Sequence, residues 1–293
     1  ETIENVLEHP YDGELFNIDT MHSIDSLQIT PEHPVYVLRN QTIEINDAII
    51  KNNIDKHITD FEWIEAKNLQ RNDMLVYSIP KNDIDIPNIS KGDCFMYGIL
   101  LGNGCMNNDE QNGYISLHTF NQNYLFNFAT SYFAKKYVPY EIEINDDITR
   151  IIWNKNINVP FRYSDIYDIN KEKYIHPKWL NLPIHKSKYI LRGLLEIDEY
   201  NNEELVFTNT SRKMIECIRF ICLKLGVLTS GNVLDGDTNY CLKIPKTKEI
   251  CELMIIPHKY KQCYTFFKYN NYLLTPIKSI HKTSYAGTLY DLQ

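Results

Sequence analysis

Apolar and polar residues alternate with a period of two through roughly the first eighty residues of the chain. The alternation is clearest in LFNIDTMHSIDSLQITPEHPVYVL, where turn-forming residues break it into short runs, and it returns in DMLVYSIP. This period is typical of strands that bury one face. The two prolines of TPEHP restrict that stretch to a turn or a sheet edge. The pattern predicts a β-rich unit, which a polar connector, KNDIDIPNISKGD, follows.

A helical pattern begins near residue 93 and occurs twice. The run Gly98-Ile99-Leu100-Leu101 matches Gly193-Leu194-Leu195-Glu196 at an offset of 95 residues. Each copy continues with a strand, a Thr/Asn turn suited to helix capping, an amphipathic helix and a strand–turn–strand segment. A repeat of this size predicts two similar halves related by a pseudo-two-fold axis. The alternative is a coincidence, since short motifs alone permit such a match.

The β pattern returns after about residue 272, in YLLTPIKSIHKTSYAGTLYDLQ. A β segment at each end of the chain, with an α/β repeat between them, predicts one domain inserted into another. The predicted divisions are 1–88 and 272–293 for the interrupted domain and 89–271 for the inserted one. Within the inserted domain, the repeats are predicted at about 93–175 and 188–271.

Charge is distributed unevenly along the 293 residues, whose net charge of −8 argues by itself against a nucleic-acid partner. Residues 1–60 carry 3 basic and 12 acidic side chains. Residues 120–192 carry 11 and 7, and residues 240–282 carry 8 and 2. A local basic face for phosphates and an ordinary solvated surface explain these segments equally well.

Cysteine usage and apolar runs indicate where the protein resides. The 7 cysteines form no CxxC pair, which is typical of reduced thiols inside a cell, in the nucleus or the cytoplasm. No run of about eighteen apolar residues exists, so no membrane partner is expected. The acidic start ETIENVLEHP is not a signal peptide. Because it lacks a first Met, we expect a fragment or a processed product.

The repeated helix is the segment most relevant to chemistry. Gly98 and Gly102 stand one turn apart, and Gly193 matches Gly98 in the second copy. Glycines at this spacing let two helix backbones approach closely, so that their last polar residues meet beside the axis. Two carboxylates at such a place repel each other unless a divalent cation lies between them, and Mg²⁺ suits carboxylate and phosphate oxygens. A buried helix pair with polar caps is the alternative for either copy alone.

Both helices resemble the signature of the LAGLIDADG homing endonucleases, LRGLLEIDE closely and MYGILLGNG less so. The run HPKWLNLPIHKSKYILRGL resembles the linker between that family's repeats, and the resemblance spans roughly residues 90–270. It implies site-specific double-strand cleavage of DNA with Mg²⁺ or Mn²⁺. The implied metal-binding acid is Asp198 and its partner position is Asn103, with Gly102 and Ile197 beside them.

The chain departs from the family pattern at three positions. Asn103 brings no negative charge, Glu199 stands in place of a glycine, and Ile197 stands where the family prefers a small residue. We therefore predict weak or absent cutting with DNA binding retained. Lys155, Lys243 and Lys246, at the ends of the following strands, are candidates for stabilising developing charge; they sit on a predicted strand saddle that enters the major groove.

The two ends of the chain resemble inteins. TPEHPVYV resembles their Thr-x-x-His block, FEWIEAKNLQRNDMLVYSIP resembles the segment that follows it, and GTLYDLQ resembles a strand near the C-terminus. Thr30 and His33 take by analogy the roles of binding the scissile amide, and Asp291 matches an acid of the later steps. A turn histidine between prolines is the alternative for His33. With Glu1 first and Gln293 last, the sequence as given is not expected to splice itself.

Together these resemblances predict an α+β protein in which a two-repeat αββαββ LAGLIDADG endonuclease domain is inserted into an all-β Hint (intein) domain. The expected partners are duplex DNA with a long recognition site and, for an intein, the flanking host protein. The expected state is a monomer with internal pseudo-two-fold symmetry. The alternatives are a cleavage-dead DNA-binding module, an autoprocessing element and an RNA maturase, which the intein-like ends disfavour.

Overall fold

The computed structural model describes residues 5–39, 47–81, 83–108, 112–154, 158–197, 205–234, 239–255 and 265–292. Its helices are α1 (Asp47–Asp55), α2 (Lys91–Asn103), α3 (Asn123–Lys135), α4 (Tyr163–Ile166), α5 (Pro177–Leu180), α6 (Ile184–Ile197), α7 (Arg212–Lys224) and α8 (Lys248–Cys251). Its strands are β1 (Val6–Thr20), β2 (Leu27–Ile29), β3 (Pro34–Leu38), β4 (Phe61–Glu65), β5 (Met74–Ser78), β6 (Gly104–Met106), β7 (Gly113–His118), β8 (Tyr140–Asn145), β9 (Ile148–Trp153), β10 (Leu205–Asn209), β11 (Ser230–Leu234), β12 (Asn239–Ile244), β13 (Phe267–Tyr269) and β14 (Tyr272–Leu292).

These elements form two compact units. Unit 1 comprises Glu1–Ser78 and Tyr264–Gln293, and unit 2 comprises Ile79–Cys263. The sequence places the two divisions about ten residues later instead, after residues 88 and 271. Both ends of the chain thus contribute to one unit, and the middle of the chain interrupts it.

Unit 1 is organised around an antiparallel sheet with the strand order β2-β1-β14-β5-β3-β4 and with β13 also paired to β14. The two ends of the chain meet in this sheet, because β1 pairs with β14 from Val6 opposite Leu292 to Thr20 opposite Ile277. Alternate residues of the strands face opposite sides. Val37 therefore belongs to one buried cluster and its neighbour Leu38 to another.

Helix α1 covers one side of this sheet and was not predicted. It contributes Ile50 and Ile54 to the same cluster as Leu38. The spacing of four residues between these isoleucines is the helical signal in DAIIKNNID, but the segment is short and rich in Asn and Asp, which favour turns. The prediction of an all-β unit is wrong in this respect.

Unit 2 contains the repeat that the sequence predicts. The first half runs α2–β7–α3–β8–β9 and the second runs α6–β10–α7–β11–β12. Their sheets have the corresponding orders β7-β9-β8 and β10-β12-β11, with β6 added beside β7 in the first. In both halves the strand that comes last in the sequence, β9 or β12, lies between the other two, so the halves share connectivity as well as element order.

The helices of the repeat begin where the sequence provides capping residues. The Ser90 side chain accepts from the Asp93 backbone N–H, and the Asp93 carboxylate accepts from the Ser90 N–H, which completes a capping box at the start of α2. Ser211 caps α7 by accepting from the Met214 N–H. These contacts satisfy backbone donors that otherwise have no partner in the first turn.

The segment between the two repeats packs against α2. The ring of Trp179, at the end of α5, stacks on Tyr97 at 4.3 Å, and both side chains are fully buried. The Tyr97 hydroxyl donates to the Asp165 carbonyl and accepts from the His176 N–H. Each such aromatic contributes about 1.5–3 kcal/mol through burial.

Among the described helices, none is long and apolar enough to cross a membrane.

Candidate functional site

Helices α2 and α6 contact each other through their glycines. A Cβ atom at Gly98 would lie 2.2 Å from the Ile190 carbonyl oxygen, and one at Gly193 would lie 2.4 Å from the Phe95 carbonyl oxygen. The Cβ position of Gly98 is also only 3.0 Å from the Gly193 Cα. Real Cβ atoms cannot adopt such distances to backbone, so only glycine allows this crossing. The close approach predicted from the glycine spacing is therefore present.

The C-terminal ends of the two helices lie side by side. A Cβ atom at Gly102 would lie 3.1 Å from Cγ2 of Ile197, the last residue of α6. Asn103, the last residue of α2, follows Gly102 and is exposed. Asp198 follows Ile197 in the sequence and lies outside the described residues. The departure of Ile197 from a small residue is accommodated because its side chain fills the space left by Gly102.

The carbonyl groups at both helix ends accept hydrogen bonds from side chains elsewhere in unit 2. At α2, the Lys173 ammonium donates to Leu101 O at 3.0 Å and to Gly104 O at 2.7 Å. At α6, the Gln122 amide donates to Ile197 O at 2.9 Å. The helix end is the negative pole of the helix dipole, so a cation is stabilised there. The two ends consequently differ: α2 carries a charged donor and α6 a neutral one.

Glu196 is a buried acid in the last turn of α6 that sequence reasoning did not single out. Its carboxylate accepts from the Tyr124 hydroxyl and from the Ile255 N–H. Burial, followed by the contact with Glu196, raises the pKa of Tyr124. This carboxylate therefore joins α6 to α3 of the other repeat and to the segment after α8.

Sequence reasoning also missed Lys173 and Gln122. Both contact residues more than sixty positions away in the chain. No local pattern of apolar and polar residues signals contacts of that range.

The outer face of the first sheet carries both signs of charge. Residues with alternating burial show that Ile115, Ile151 and Trp153 face the core. Arg150 faces the other side of the sheet. Ser116 and Glu143, its partners on the two neighbouring strands, lie on that same side. The Arg150 guanidinium lies 5.2 Å from the centre of the Tyr114 ring. Glu141 lies on this same face, opposite Ile152.

The corresponding face of the second sheet is mostly neutral. Lys243 lies there between Val206 and Ser230, and it is exposed. Asn232 and Thr208 flank Cys241 in the neighbouring row. Lys246, the other candidate of this strand end, is only 6% exposed. Lys155, the candidate in the first repeat, lies outside the described residues.

Five lysines of unit 2 are paired with aspartates of the same unit. The pairs, with their N···O distances, are Lys136–Asp93 (2.9 Å), Lys178–Asp165 (2.6 Å), Lys186–Asp85 (2.6 Å), Lys224–Asp83 (2.7 Å) and Lys213–Asp168. Opposite charges at such distances cancel at long range. Within segment 120–192, Lys136 and Lys186 pair with aspartates that lie outside the segment, so its surplus of positive charge is smaller on the surface than the residue count suggests.

The intein-like residues lie in unit 1. Thr30 and His33 belong to one turn, in which the His33 N–H donates to Thr30 O at 3.1 Å, and His33 is exposed. The part of β14 that lies level with Thr30 is Lys282, since Lys282 is opposite Phe16 and Phe16 is opposite Ile29, the residue before Thr30. Asp291 is nine residues beyond Lys282 along β14, which corresponds to roughly 30 Å of strand. Its carboxylate lies 3.6 Å from Nδ1 of His9.

The α2 end does not fit the divalent cation that the LAGLIDADG resemblance implies. In the described ranges, no group of three or more His, Cys, Asp or Glu side chains can hold a metal ion. Asn103 offers a neutral amide, and the Lys173 ammonium already binds the carbonyls on either side of it. The remaining candidate ligand, Asp198, is not among the described residues.

Known proteins resemble parts of the chain in sequence. No model of a protein family matches it. The ATP-dependent DNA helicase Hel308 of Methanocaldococcus jannaschii is 27% identical over 175 residues, which are 57% of this chain and 14% of the helicase. An uncharacterised protein of the same organism is 30% identical over 100 residues, which are 30% of this chain and 13% of that protein. The chain thus spans about a seventh of these relatives.

Solved structures resemble the fold. The homing endonuclease I-DmoI in complex with DNA and Mn has a TM-score of 0.44 at 11% identity, covering 58% of this chain and 98% of that one. The N-terminal LAGLIDADG domain of WhiA has a TM-score of 0.37 at 15% identity, covering 60% of this chain and 92% of that one. These likenesses concern the fold alone.

Proposed function

We propose that unit 2 is a sequence-specific, duplex-DNA-binding domain of the homing-endonuclease type, in which double-strand cleavage is weakened or lost. The observation that carries this proposal is the glycine contact between α2 and α6, with the same strand and helix connectivity after each helix. Two similar halves around one helix pair suit two adjacent half-sites of a duplex. Such a domain acts as a monomer, since each half replaces one partner of a symmetric dimer.

The residues at the helix ends support weakened cleavage. Asp198 is the carboxylate by which a divalent cation would be held, and Asn103 supplies no second charge. A single carboxylate binds Mg²⁺ less tightly than a pair, because affinity follows the number of charged ligands. The polar faces of the two sheets remain suited to reading base edges, since Arg, Glu, Asn and Ser all pair with them.

A binding and cleavage assay tests the proposal. One substrate is duplex DNA in which the segment that encodes this chain is deleted and the flanking gene sequences are joined. A library of randomised duplexes is the second substrate, so that a recognition site elsewhere is also found. We expect a gel shift in EDTA and slow or absent cutting in Mg²⁺. If residual cutting is present, Asp198→Asn should reduce its rate by about 100-fold or more while DNA affinity changes little.

The matched control is Glu252→Gln, which removes an exposed carboxylate of the same unit. It should leave both binding and cutting unchanged. Cutting by the unchanged protein at the rate of an intact two-acid enzyme would contradict the weakened site. Absence of any duplex binding, or preference for structured RNA in a competition, would contradict the DNA assignment and favour an RNA maturase.

The salt dependence of binding tests which charges contact DNA. Because five lysines of unit 2 are paired with aspartates, we expect fewer phosphate contacts, and a shallower decrease of affinity with salt, than the number of its basic residues alone would give. Lys243→Ala should reduce the slope of log K against log salt by about 1. Lys186→Ala is the control, since its ammonium pairs with Asp85 at 2.6 Å, and it should leave the slope unchanged.

Unit 1 supports a second proposal, an intein-type autoprocessing domain. The supporting observation is that both ends of the chain pair in one sheet, which also leads into the Thr30–His33 turn. Expressed within its complete reading frame, the chain should be excised, and mass spectrometry of the products should show the joined flanks. His33→Ala should abolish excision if the imidazole assists cleavage of the amide. Unchanged full-length product from the natural sequence would contradict this role.

A further inference from the structure

Lys173 reaches the end of α2 from the segment between the two repeats. An isolated bridge between Tyr167 and Lys173 fixes the backbone of this segment. The ammonium then bonds Leu101 O and Gly104 O, which flank Gly102 and Asn103 in the chain. The last carbonyls of a helix have no partner within the helix, so Lys173 satisfies one of them and the first carbonyl beyond.

The surroundings of Lys173 are unusual for a lysine. Its side chain is half-buried, and burial lowers its pKa. Within the part of the chain that the structure describes, its bonds go to carbonyls and to no carboxylate. The negative pole of α2 and the two carbonyl oxygens are therefore what stabilises the charge.

We propose that the Lys173 ammonium is the resident cation of the α2 end and keeps divalent ions out of that half of the helix pair. The inference concerns the helix ends of the proposed function and rests on it. The charges support it: a carboxylate with a divalent ion carries a net charge of about +1, and neutral Asn103 with Lys173 carries the same. Lys173 thus holds the two carbonyls at the end of α2 in place and supplies the positive charge that a metal ion would bring there.

The proposal predicts that restoring an acid at position 103 does not restore a metal site. A new carboxylate at position 103 would precede Gly104, whose carbonyl binds the ammonium, so the Lys173 charge repels a divalent ion that approaches this carboxylate. Removal of the lysine charge is required as well. The asymmetry follows from the structure, since the corresponding donor at α6 is the uncharged amide of Gln122.

Titration of the full chain with Mn²⁺, without DNA, tests this by electron paramagnetic resonance. We expect the unchanged protein and Asn103→Asp to bind Mn²⁺ alike. Asn103→Asp combined with Lys173→Met should gain one further site, at least about tenfold tighter than any site of Asn103→Asp alone. Asn103→Asp combined with Lys173→Arg keeps the positive charge and should gain none.

A tight Mn²⁺ site in Asn103→Asp alone would overturn the proposal, and this comparison needs no change at Lys173. Lys173→Gln in place of Lys173→Met keeps an amide donor for the carbonyls, and a circular dichroism spectrum confirms that each variant is folded. A folded double variant with no added site would also overturn it. The Mn²⁺ titration contains no DNA, so its result is independent of the binding assay. If the variants bind Mn²⁺ as expected but the protein does not bind duplex DNA, the proposed function is wrong and the role of Lys173 is not.

Discussion

Two buried aspartates show how single residues set the response of the protein to pH. Asp93 is fully buried, which by itself raises the pKa of its carboxyl, but bonds from Ser90, Lys136 and Tyr132 outweigh burial and hold the pKa below its ordinary value. At Asp73, burial outweighs the contacts with the Gln70 N–H and Arg39 and raises the pKa. The ionised form thus stabilises the fold at Asp93 and destabilises it at Asp73.

Asp93→Asn should lower the free energy of unfolding at pH 7 by about 2–4 kcal/mol, because it removes charged hydrogen bonds and leaves Lys136 without its partner. The stabilisation by Asp93 is present above the ordinary pKa of 3.8 and is lost as the pH falls through the lowered folded value. Denaturant unfolding at pH 7 and near pH 3 should therefore show a smaller difference from the unchanged protein in acid. Asp73→Asn should behave in the opposite way. As the pH falls, the free energy of unfolding of the unchanged protein should rise relative to that of this variant.

At the scale of elements, α2 and α6 can cross this closely only because Gly98 and Gly193 have no side chain. Gly98→Ala should lower the stability of unit 2 by about 2 kcal/mol or more, since the added methyl meets the backbone of the partner helix at 2.2 Å and neither backbone can move independently. Thermal or urea unfolding measures the loss. The change should also weaken the proposed DNA binding, because the two halves shift relative to each other.

Gly92→Ala provides the matched control within the same helix. Its Cβ would meet only Ser90 Oγ, at an ordinary 3.6 Å, so the helix propensity of alanine is gained without a clash. The stability of unit 2 should rise by about 0.5–1 kcal/mol. Equal effects of the two substitutions would show that the interhelical contact is not what requires glycine at position 98.

The elements that sequence reasoning predicted are those with a local cause. Gly98 and Gly193 indicate the helix crossing because a residue without a side chain inside an apolar helix requires a close neighbour. The strands follow from alternation, and the repeat follows from comparing two segments. Helix α1 was missed because its pattern covers little more than two turns. Lys173 was missed because its partners are defined only by the fold.

At the scale of the whole molecule, the sequence order and the structural units do not coincide. The hydrogen-bonded sheet of unit 1 is formed entirely by the two end segments, and its buried clusters draw on the same segments. The repeats of unit 2 bury their own aromatic and aliphatic side chains. An insertion of this kind is tolerated when each unit has a complete core, since few contacts are then lost on separation.

Each unit should accordingly fold without the other. Residues 79–263 expressed alone should unfold cooperatively in urea, with secondary structure and tryptophan fluorescence changing together. Unit 1 requires its two segments to be joined, and a flexible linker of about six residues, with a mean span of roughly 13 Å, replaces unit 2 between Ser78 and Tyr264. Omitting β14 from that joined chain removes the strand that joins β1 to β5 and should leave it unfolded. Non-coincident transitions for 79–263 would mean that the inserted repeats need the interrupted sheet for stability.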